Sequence, residues 1–395
     1  MRQPIDPSER FRLRRENARR RQRRRRVTAF AVVALAAAVV TLGARFLPSD
    51  SPGAAKQASD TTRTATTSKP KEKPLRPLPA EIRGVHVTMA LANLDGKLDE
   101  YVGLANEGLN TLELDVKDEN GEVAFRSPLA KLAKKVGAAQ NYYNPREAVK
   151  LARDHGLYLI GRVVVFEDPI LSVKRPALAV RRSDGGVWTT SGGLGWTNPY
   201  DERVWKYNVD IAEAAARAGF DEIMFDYVRF PSDGDLAAMV FNHQVKEPKA
   251  ETIVRFVKYA RERLHPLGVR VSAAVFGLSA TRDLGIGQRP RKLGSYLDAI
   301  YPMVYPSHYT PGEYNIANPD GDPGRTVAFS LRDFREKLRG RSAKVIPWLQ
   351  DFSLQHTYTL AEIQAQVEAA RRAKSAGYLL WNASGVYTDG GLTAP

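Results

Sequence analysis

From residue 81 onward, one pattern of apolar and polar positions recurs along the chain. A stretch with helical spacing is followed by a turn that contains glycine and then by a short apolar run, as in ANEGLNTLELDV and ARAGFDEIMFDYV. Because glycine commonly ends a helix, these turns separate helices from strands. The pattern predicts eight strands, near residues 83–90, 111–118, 158–166, 222–230, 269–277, 299–307, 344–352 and 377–385.

Helical spacing fills most of the intervals between these strands. The predicted helices lie near residues 97–106, 144–155, 201–218, 250–264, 326–340 and 359–375. Strands alternating with helices in this way are typical of an α/β fold, here a single (β/α)8 TIM barrel spanning residues 81–395. A doubly wound open sheet is the alternative, but no glycine-rich phosphate loop follows the first strand.

The connections between the elements are unequal in length. Turns from helix to strand are short, whereas four loops from strand to helix are long: 119–143, 167–200, 231–249 and 306–325. In barrels of this kind the C-terminal ends of the strands carry the active site, and loops this long are either functional or disordered. The chain therefore places its extra residues where a ligand binds.

The formal charge of +15 is concentrated at the N-terminus, since residues 1–80 carry +13 and residues 81–395 only +2. Residues 1–26 are predicted to form a basic cytoplasmic arm. Residues 27–47 contain an apolar run of the length of a short transmembrane helix, and the basic flank before it fits the positive-inside rule. A cleavable signal peptide is the rival interpretation, and RNA binding by the Arg run is a weaker one.

Residues 48–80 are rich in Pro, Ser, Thr, Ala and Lys, a composition that cannot bury a core. We predict a disordered linker there. The chain has no cysteine, which is compatible with an exported protein. Together these features predict a single-pass protein of the cell membrane whose C-terminal domain lies on the extracytoplasmic side. We expect a monomer that does not bind nucleic acid.

A carboxylate lies within an apolar strand in the stretch FDEIMFDYVRFP. Alternation of side chains places Met224, Asp226 and Val228 on one face of the fourth strand, towards the barrel interior. A buried carboxylate is costly unless it is paired or employed in binding or catalysis. Asp226 is therefore the first candidate catalytic residue, and a structural ion pair with Arg162 or Arg229 is the alternative.

The second strand, TLELDVKD, carries charges on its inward face. Alternation places Glu113, Asp115 and Lys117 inside the barrel and Asp118 at its mouth. Charges inside a barrel must pair, so Asp115 with Lys117 or Arg162 forms either a structural network or part of a binding site. Asp115, Asp118 and Arg162 are candidate substrate-binding residues.

The other strand ends supply carboxylates, aromatic rings and amides. Glu167 and Asp351 follow the third and seventh strands and are candidate catalytic partners of Asp226. Further candidate substrate-binding residues are Trp188, Trp196, Tyr305, His308, Trp348, Trp381 and Asn382. Carboxylates beside aromatic rings suit the cleavage of sugars. The six His are scattered without metal-ligand spacing, and no cofactor motif is present, so we expect neither a metal nor a cofactor.

The sequence resembles a family of bacterial TIM-barrel proteins described as glycoside hydrolases. The resemblance extends over residues 81–388 through RGVHVT, LNTLELDVKDENGEV, GRVVVFEDP, FDEIMFDYVRFPSDG, YPMVYPSHY and GYLLWNASGVYT. The chain is also distantly similar to retaining glycosidases, which implies that Asp226 is the nucleophile. Those enzymes take their acid from the end of the sixth strand, where this chain has no carboxylate before Glu313.

Two functions follow as hypotheses. The first is a glycoside hydrolase that cleaves a polysaccharide or peptidoglycan-type glycan of the cell envelope or surroundings. The second is a barrel that binds such a glycan without cleaving it. If the protein is a hydrolase, the acid partner of Asp226 is expected to be Asp351, then Glu167, then Asp118, and to have a raised pKa.

Overall fold

The computed structural model describes residues 73–242 and 247–393. The predicted basic arm and transmembrane helix, and most of the predicted linker, lie outside these residues. In the described part, no helix is both long and apolar enough to cross a membrane. The strands are β1 (Ile82–Val87), β2 (Thr111–Lys117), β3 (Tyr158–Val164), β4 (Glu222–Asp226), β5 (Arg270–Phe276), β6 (Ala299–Val304), β7 (Lys344–Val345 and Trp348–Gln350) and β8 (Gly377–Trp381).

These strands form a closed parallel barrel. Each pairs with its neighbours in chain order, and β1 pairs with β8 to close the ring. Strand β7 is split at Pro347, which has no N–H to donate, although its carbonyl still accepts a hydrogen bond from Leu379 at 2.9 Å. The closed order confirms the predicted (β/α)8 barrel and excludes the open sheet.

Helices cover the outside of the barrel. They are α1 (Met89–Ala92), α2 (Lys97–Gly103), α3 (Lys131–Lys135), α4 (Pro145–Asp154), α5 (Pro169–Lys174), α6 (Glu202–Ala218), α7 (Lys249–Leu264), α8 (Pro290–Leu293), α9 (Pro323–Lys337) and α10 (Leu360–Arg372). The six predicted helices correspond to α2, α4, α6, α7, α9 and α10. Side-chain caps fix several of their starts; for example, Thr359 and Glu362 form a capping box at α10.

Apolar side chains form two clusters, one on each side of the strands. The larger lies between strands and helices and includes Phe225, whose ring centroid is 5.2 Å from that of Phe256 on α7. The smaller fills the barrel and includes Met224, Tyr305 and Trp348. Side-chain alternation along each strand assigns its residues to one cluster or the other.

All eight strands end earlier than the sequence predicts, and local backbone structure explains the difference in β1 and β4. Strand β1 ends at Val87 because Thr88 caps α1, accepting a hydrogen bond from the Leu91 N–H at 3.2 Å. Strand β4 ends at Asp226, since Tyr227 has a positive φ of 49°. The predicted inward position of Val228 is therefore wrong, and Val228 belongs to the outer apolar cluster.

A bulge in β2 changes the direction of Lys117. The pairing of β2 with β3 shifts register between Asp115 and Lys117, which reverses the alternation beyond that point. Lys117 therefore points outward, where its Nζ lies 2.9 Å from Asp168 Oδ2 and 2.6 Å from the Val164 carbonyl. The predicted inward orientation of Lys117 is wrong for this reason.

Residues 73–80, which composition assigns to the linker, lie against the floor of the barrel. The Arg76 guanidinium donates hydrogen bonds to the Leu157 carbonyl at 2.9 Å and to Asp221 at 2.7 Å. Leu78 packs against the interior cluster from below. Residues 73–80 of the predicted linker are thus part of the folded domain. The domain includes residues before the predicted boundary at residue 81.

Candidate active site

Asp226 is the last residue of β4 and points into the barrel just below its mouth. It is 2% exposed. Its Oδ2 accepts hydrogen bonds from Arg162 Nε at 2.9 Å and Nη2 at 2.7 Å, and its Oδ1 accepts one from the Tyr227 N–H at 2.7 Å. These three donors, two of them from one guanidinium, hold both carboxylate oxygens in place.

The backbone turns sharply after Asp226. Tyr227 adopts the left-handed conformation, which costs a residue with a side chain about 1–2 kcal/mol. This conformation ends the strand and directs the Tyr227 N–H at the Asp226 carboxylate. Strain of this kind clusters at functional sites, where the surrounding structure maintains it.

A row of charged side chains crosses the barrel interior from β1 to β4. Arg162 Nη1 lies 2.7 Å from Asp115 Oδ1, and Asp115 Oδ2 lies 3.8 Å from His86 Nε2. His86 Nδ1 in turn contacts the Glu113 carboxylate. Burial alone would lower the pKa of Arg162, but the charges of Asp226 and Asp115 raise it well above its usual range. Arg162 is therefore a permanent cation between two carboxylates.

Three of these groups have the chemistry of metal ligands. One ligand atom each from His86, Glu113 and Asp115 lie within 4.8 Å of one another, a cluster that the sequence expectation of no metal site did not foresee. The ligands come from two strands, so no local spacing reveals them. However, the Arg162 guanidinium already neutralises Asp115, and a second cation so close to it is disfavoured. The arrangement fits a charge network better than a metal centre.

Glu167 lies three residues beyond Val164, which pairs with Asp226 in the adjacent strand. Backbone hydrogen bonds hold the residues before and after Glu167. The Asp168 N–H donates to the Gly195 carbonyl, and the Phe166 carbonyl accepts from the Thr197 N–H. Burial raises the pKa of Glu167 to about 8; the charge of Arg229 opposes this, and that of Glu119 adds to it. Glu167 is thus a buried carboxyl that remains protonated at neutral pH, as a general acid must.

Asp351, the preferred partner of Asp226 from the sequence, has a different environment. Its carboxylate accepts hydrogen bonds from the Thr388 N–H at 2.9 Å and hydroxyl at 2.6 Å. Burial raises its pKa, and the Thr388 bonds oppose this. The Asn382 amide bonds to the Asp351 carbonyl. Asp351 and Asn382 therefore fix the segment after β8, and the structure does not place them beside Asp226.

Asp118 also organises a loop. Its Oδ1 accepts hydrogen bonds from the backbone of Asn120 at 3.0 Å and of Glu122 at 2.9 Å, and its Oδ2 accepts one from the Asn120 amide at 2.7 Å. Burial raises the pKa of Asp118 to about 7, and the charge of Glu119 adds to this. These bonds shape the turn after β2 and occupy both carboxylate oxygens.

Aromatic rings from β6, β7 and β8 form the other side of the mouth. The Trp381 ring centroid lies 5.4 Å from that of Tyr305 and 5.3 Å from that of Phe352. His308 lies 5.5 Å from Tyr305. Trp381 and Phe352 are partly exposed, so this cluster offers ring surface to a ligand. The charge of Asp226 is close enough to Tyr305 to reinforce the effect of burial in raising its pKa.

The remaining predicted platforms are buried. Trp188 is 1% exposed and donates its indole N–H to the Asp235 carbonyl at 2.7 Å, so it joins two mouth loops rather than presenting a ring face. Trp196 is fully buried beneath Arg229. Trp348 is 2% exposed and packs between His86 and Arg162 inside the barrel. The large loops need apolar cores of their own, and Trp supplies them.

Sequence reasoning missed three residues of the site. The negative charge of Glu119 adds to the effect of burial in raising the pKa of Glu167. The Glu119 carboxylate also lies 3.7 Å from Arg162 Nη1. Phe352 completes the aromatic cluster. The sequence identifies Arg229 only as an alternative ion-pair partner of Asp226. The motifs "LDVKDE" and "WLQDF" contained the first two as neighbours of selected residues. Their inward positions depend on loop conformation, which alternation along a strand does not predict.

Known proteins share this architecture. Residues 84–387 match a family described as "Putative glycosyl hydrolase domain". A hypothetical protein from Ruminiclostridium thermocellum is 40% identical over 48% of this chain and 96% of its own, with a TM-score of 0.44. The glycoside hydrolase domain of PgaB from Bordetella bronchiseptica is 14% identical over 77% of this chain and 95% of its own, with a TM-score of 0.53.

The endo-1,4-β-D-mannanase of Thermotoga petrophila is also 14% identical, over 78% of this chain and 93% of its own, with a TM-score of 0.50. At this identity the last two structures show the fold alone. No curated protein sequence matches the chain. The family match covers more than half of the chain and includes Glu167 and Asp226. The protein therefore belongs to this family of glycosyl hydrolases, and it is a glycosidase by that membership.

Proposed function

We propose that the barrel hydrolyses glycosidic bonds with Asp226 and Glu167 as its carboxylate pair. The observation that supports this most directly is the difference between their environments. The Arg162 guanidinium and the Tyr227 N–H bind Asp226, whereas burial raises the pKa of Glu167 to about 8. Glycoside hydrolysis requires one carboxylate and one protonated carboxyl, and these two residues lie at the C-terminal ends of adjacent strands.

In the proposed reaction, Glu167 donates its proton to the glycosidic oxygen as the bond from that oxygen to the anomeric carbon breaks. The Asp226 carboxylate stabilises the positive charge that develops on the sugar, either by bonding to the anomeric carbon or by activating a water molecule on the opposite face. In the first route, water then cleaves the bond between sugar and Asp226, supplies the new hydroxyl and gives its proton to Glu167. In the second route, Asp226 takes the proton of the attacking water, and both carboxyls return to their starting states by proton exchange with solvent. The aromatic cluster of Tyr305, Phe352 and Trp381 holds the sugar ring.

The substrate is proposed to be a polysaccharide or peptidoglycan-type glycan outside the cell. The support is the Arg-rich arm, the apolar run in residues 27–47 and the composition of the linker, which together indicate a membrane anchor with an external catalytic domain. Fractionation of cells with external protease treatment tests this. The barrel should remain with membranes and be cleaved from outside; recovery in the cytoplasm would contradict the proposal.

Release of reducing ends from purified envelope glycans tests the catalytic proposal. Wild-type protein should release them, whereas Asp226→Asn and Glu167→Gln should not. Asp351→Asn is the matched control, because its carboxylate contacts Thr388 rather than the pair. Glycan binding without release by the wild-type protein would favour a binding barrel instead. Loss of activity in Asp351→Asn alone would make Asp351 the acid.

A further inference from the structure

Arg229 is a buried cation at the mouth and is 5% exposed. In residues 73–242 and 247–393, carboxylates act on its guanidinium through their charge, but none forms a salt bridge with it. Its one hydrogen bond within this part of the chain runs from Nη1 to the Phe230 carbonyl at 3.1 Å. A guanidinium carries five N–H donors, and a buried cation left without a counter-charge is costly.

Three aromatic rings fix the plane of this guanidinium. Arg229 Cζ lies 4.9 Å from the ring centroid of Trp196, 5.0 Å from that of Tyr227 and 4.7 Å from that of Phe276. Contact with rings stabilises a cation but leaves its N–H donors unused. The rings therefore hold a rigid donor group in one orientation, as a preformed binding site requires.

The surroundings place this group beside the proposed general acid. Arg229 interacts electrostatically with Glu167 and Asp226, the two carboxyls of the proposed pair, and more weakly with Asp233 in the loop after β4. Glu167 is protonated at neutral pH, so it does not neutralise Arg229. Asp226 Oδ2 accepts two hydrogen bonds, and both come from Arg162. The positive charge of Arg229 is therefore available to a ligand that enters the mouth.

We infer that Arg229 binds a carboxylate carried by the sugar substrate, so that the enzyme selects acidic glycans over neutral ones. This inference rests on the proposed function and specifies its substrate class. A planar guanidinium matches a carboxylate through two parallel hydrogen bonds. A bound carboxylate near Glu167 also disfavours ionisation of that acid, which keeps it able to donate a proton. The carboxylate comes either from a uronic acid ring or from the lactyl ether of muramic acid.

Calorimetric binding to the full chain with Asp226→Asn tests the inference without turnover. The probes are glucuronate oligosaccharides and N-acetylmuramic-acid oligosaccharides, each compared with its carboxyl-reduced form. One acidic probe should bind about tenfold to a hundredfold more tightly than its reduced form, which also identifies the source of the carboxylate. Equal affinity for acidic and reduced forms of both probes would overturn the inference.

Arg229→Met, added to Asp226→Asn, keeps an apolar side chain among the three rings and removes the donors. It should abolish the preference for the acidic probe while leaving the affinity for the reduced probe within about twofold. Arg229→Lys keeps the charge and should retain part of the preference for the acidic probe. If the Met variant does not fold, the Lys variant provides the test in its place. A preference that survives in both variants, or equal weakening of both probes, would show that Arg229 only positions its neighbours. Failure of wild-type hydrolysis leaves these binding ratios measurable, so the two proposals fail separately.

Discussion

Strand β4 carries two inward acidic side chains at opposite ends, and their hydrogen-bond partners differ although both are buried. Glu222, at the floor, is fully buried and accepts hydrogen bonds from the hydroxyls of Tyr158 and Ser272. In the described residues no Lys or Arg pairs with it, and burial raises its pKa. Asp226, four residues later at the mouth, accepts its bonds from a guanidinium and a backbone N–H.

Both carboxyl groups are buried, so the difference between them lies in their partners. At the floor, burial raises the pKa of Glu222, and the bonds from hydroxyl groups only partly oppose this. At the mouth, the Arg162 guanidinium places a positive charge against Asp226. One strand thereby separates a structural carboxyl from a proposed catalytic one by two alternating positions.

The largest expected effect comes from neutralising the mouth carboxylate alone. Asp226→Asn should lower kcat/KM by about a thousandfold or more, because the charge that stabilises the transition state is lost. Glu222→Gln is the matched variant on the same strand and should retain wild-type kcat/KM. Steady-state kinetics on the glycan that the wild type cleaves measures both. Comparable losses in the two variants would end the distinction between floor and mouth.

The next largest effect concerns the acid beside Asp226. Glu167→Gln cannot donate a proton, so kcat should fall by about a hundredfold to ten-thousandfold. In the wild type, kcat/KM should fall as pH rises through about 8, because the required form of Glu167 is protonated. The residual activity of Glu167→Gln should lack this descending limb. A limb that persists near pH 8 in the variant would assign it to another group.

A smaller effect tests the raised pKa of the floor carboxyl. The pKa of Glu222 is raised in the folded protein, so its stabilising contribution is complete below its unfolded pKa and is lost as pH rises through the folded value. Glu222→Gln should remove this loss, by about 1.4 kcal/mol for each unit of pKa difference. Urea unfolding at several pH values measures the free energy of unfolding. A variant whose stability decreases with rising pH as steeply as the wild type's would contradict the assignment.

The smallest effect comes from removing one hydroxyl donor at the floor. Tyr158→Phe deletes the 3.0 Å hydrogen bond to Glu222 and should lower the free energy of unfolding by about 1 kcal/mol. Enzyme activity should not change, since Tyr158 lies at the end of β3 remote from the mouth. Tyr305→Phe is the counterpart at the mouth, where substrate binding should weaken instead. Identical effects of the two substitutions on KM would remove the distinction.

Local rules predict the barrel and its interior, and contacts between distant segments decide the rest. Glycine turns and two-residue alternation place Glu113, Asp115 and Arg162 inside, because those signals lie within one element. The bulge that turns Lys117 outward depends on pairing with β3. The turn at Tyr227 is accompanied by a hydrogen bond from its N–H to Asp226. Neither the bulge nor this turn can be predicted from the spacing of apolar residues.

Choosing the partner of Asp226 required knowledge of the loops. Asp351 and Glu167 both follow strands, and sequence ranked Asp351 first. The loop after β3 buries Glu167, whereas the segment after β8 supplies the hydrogen-bond donors of Thr388 to Asp351. Burial of Trp188 within the same loops is equally non-local. Residue type identifies the candidates, and the folded loops give them the different surroundings on which the proposal of Glu167 as the acid rests.

The segment that underlies the barrel determines how the enzyme can be attached to a surface. Residues 73–80 run across the floor, with Arg76 bonded to Leu157 and Asp221 at the N-terminal ends of β3 and β4. A carrier joined directly at residue 73 would therefore attach to the face opposite the mouth. The mouth would then remain open to a polymer that approaches from the other side.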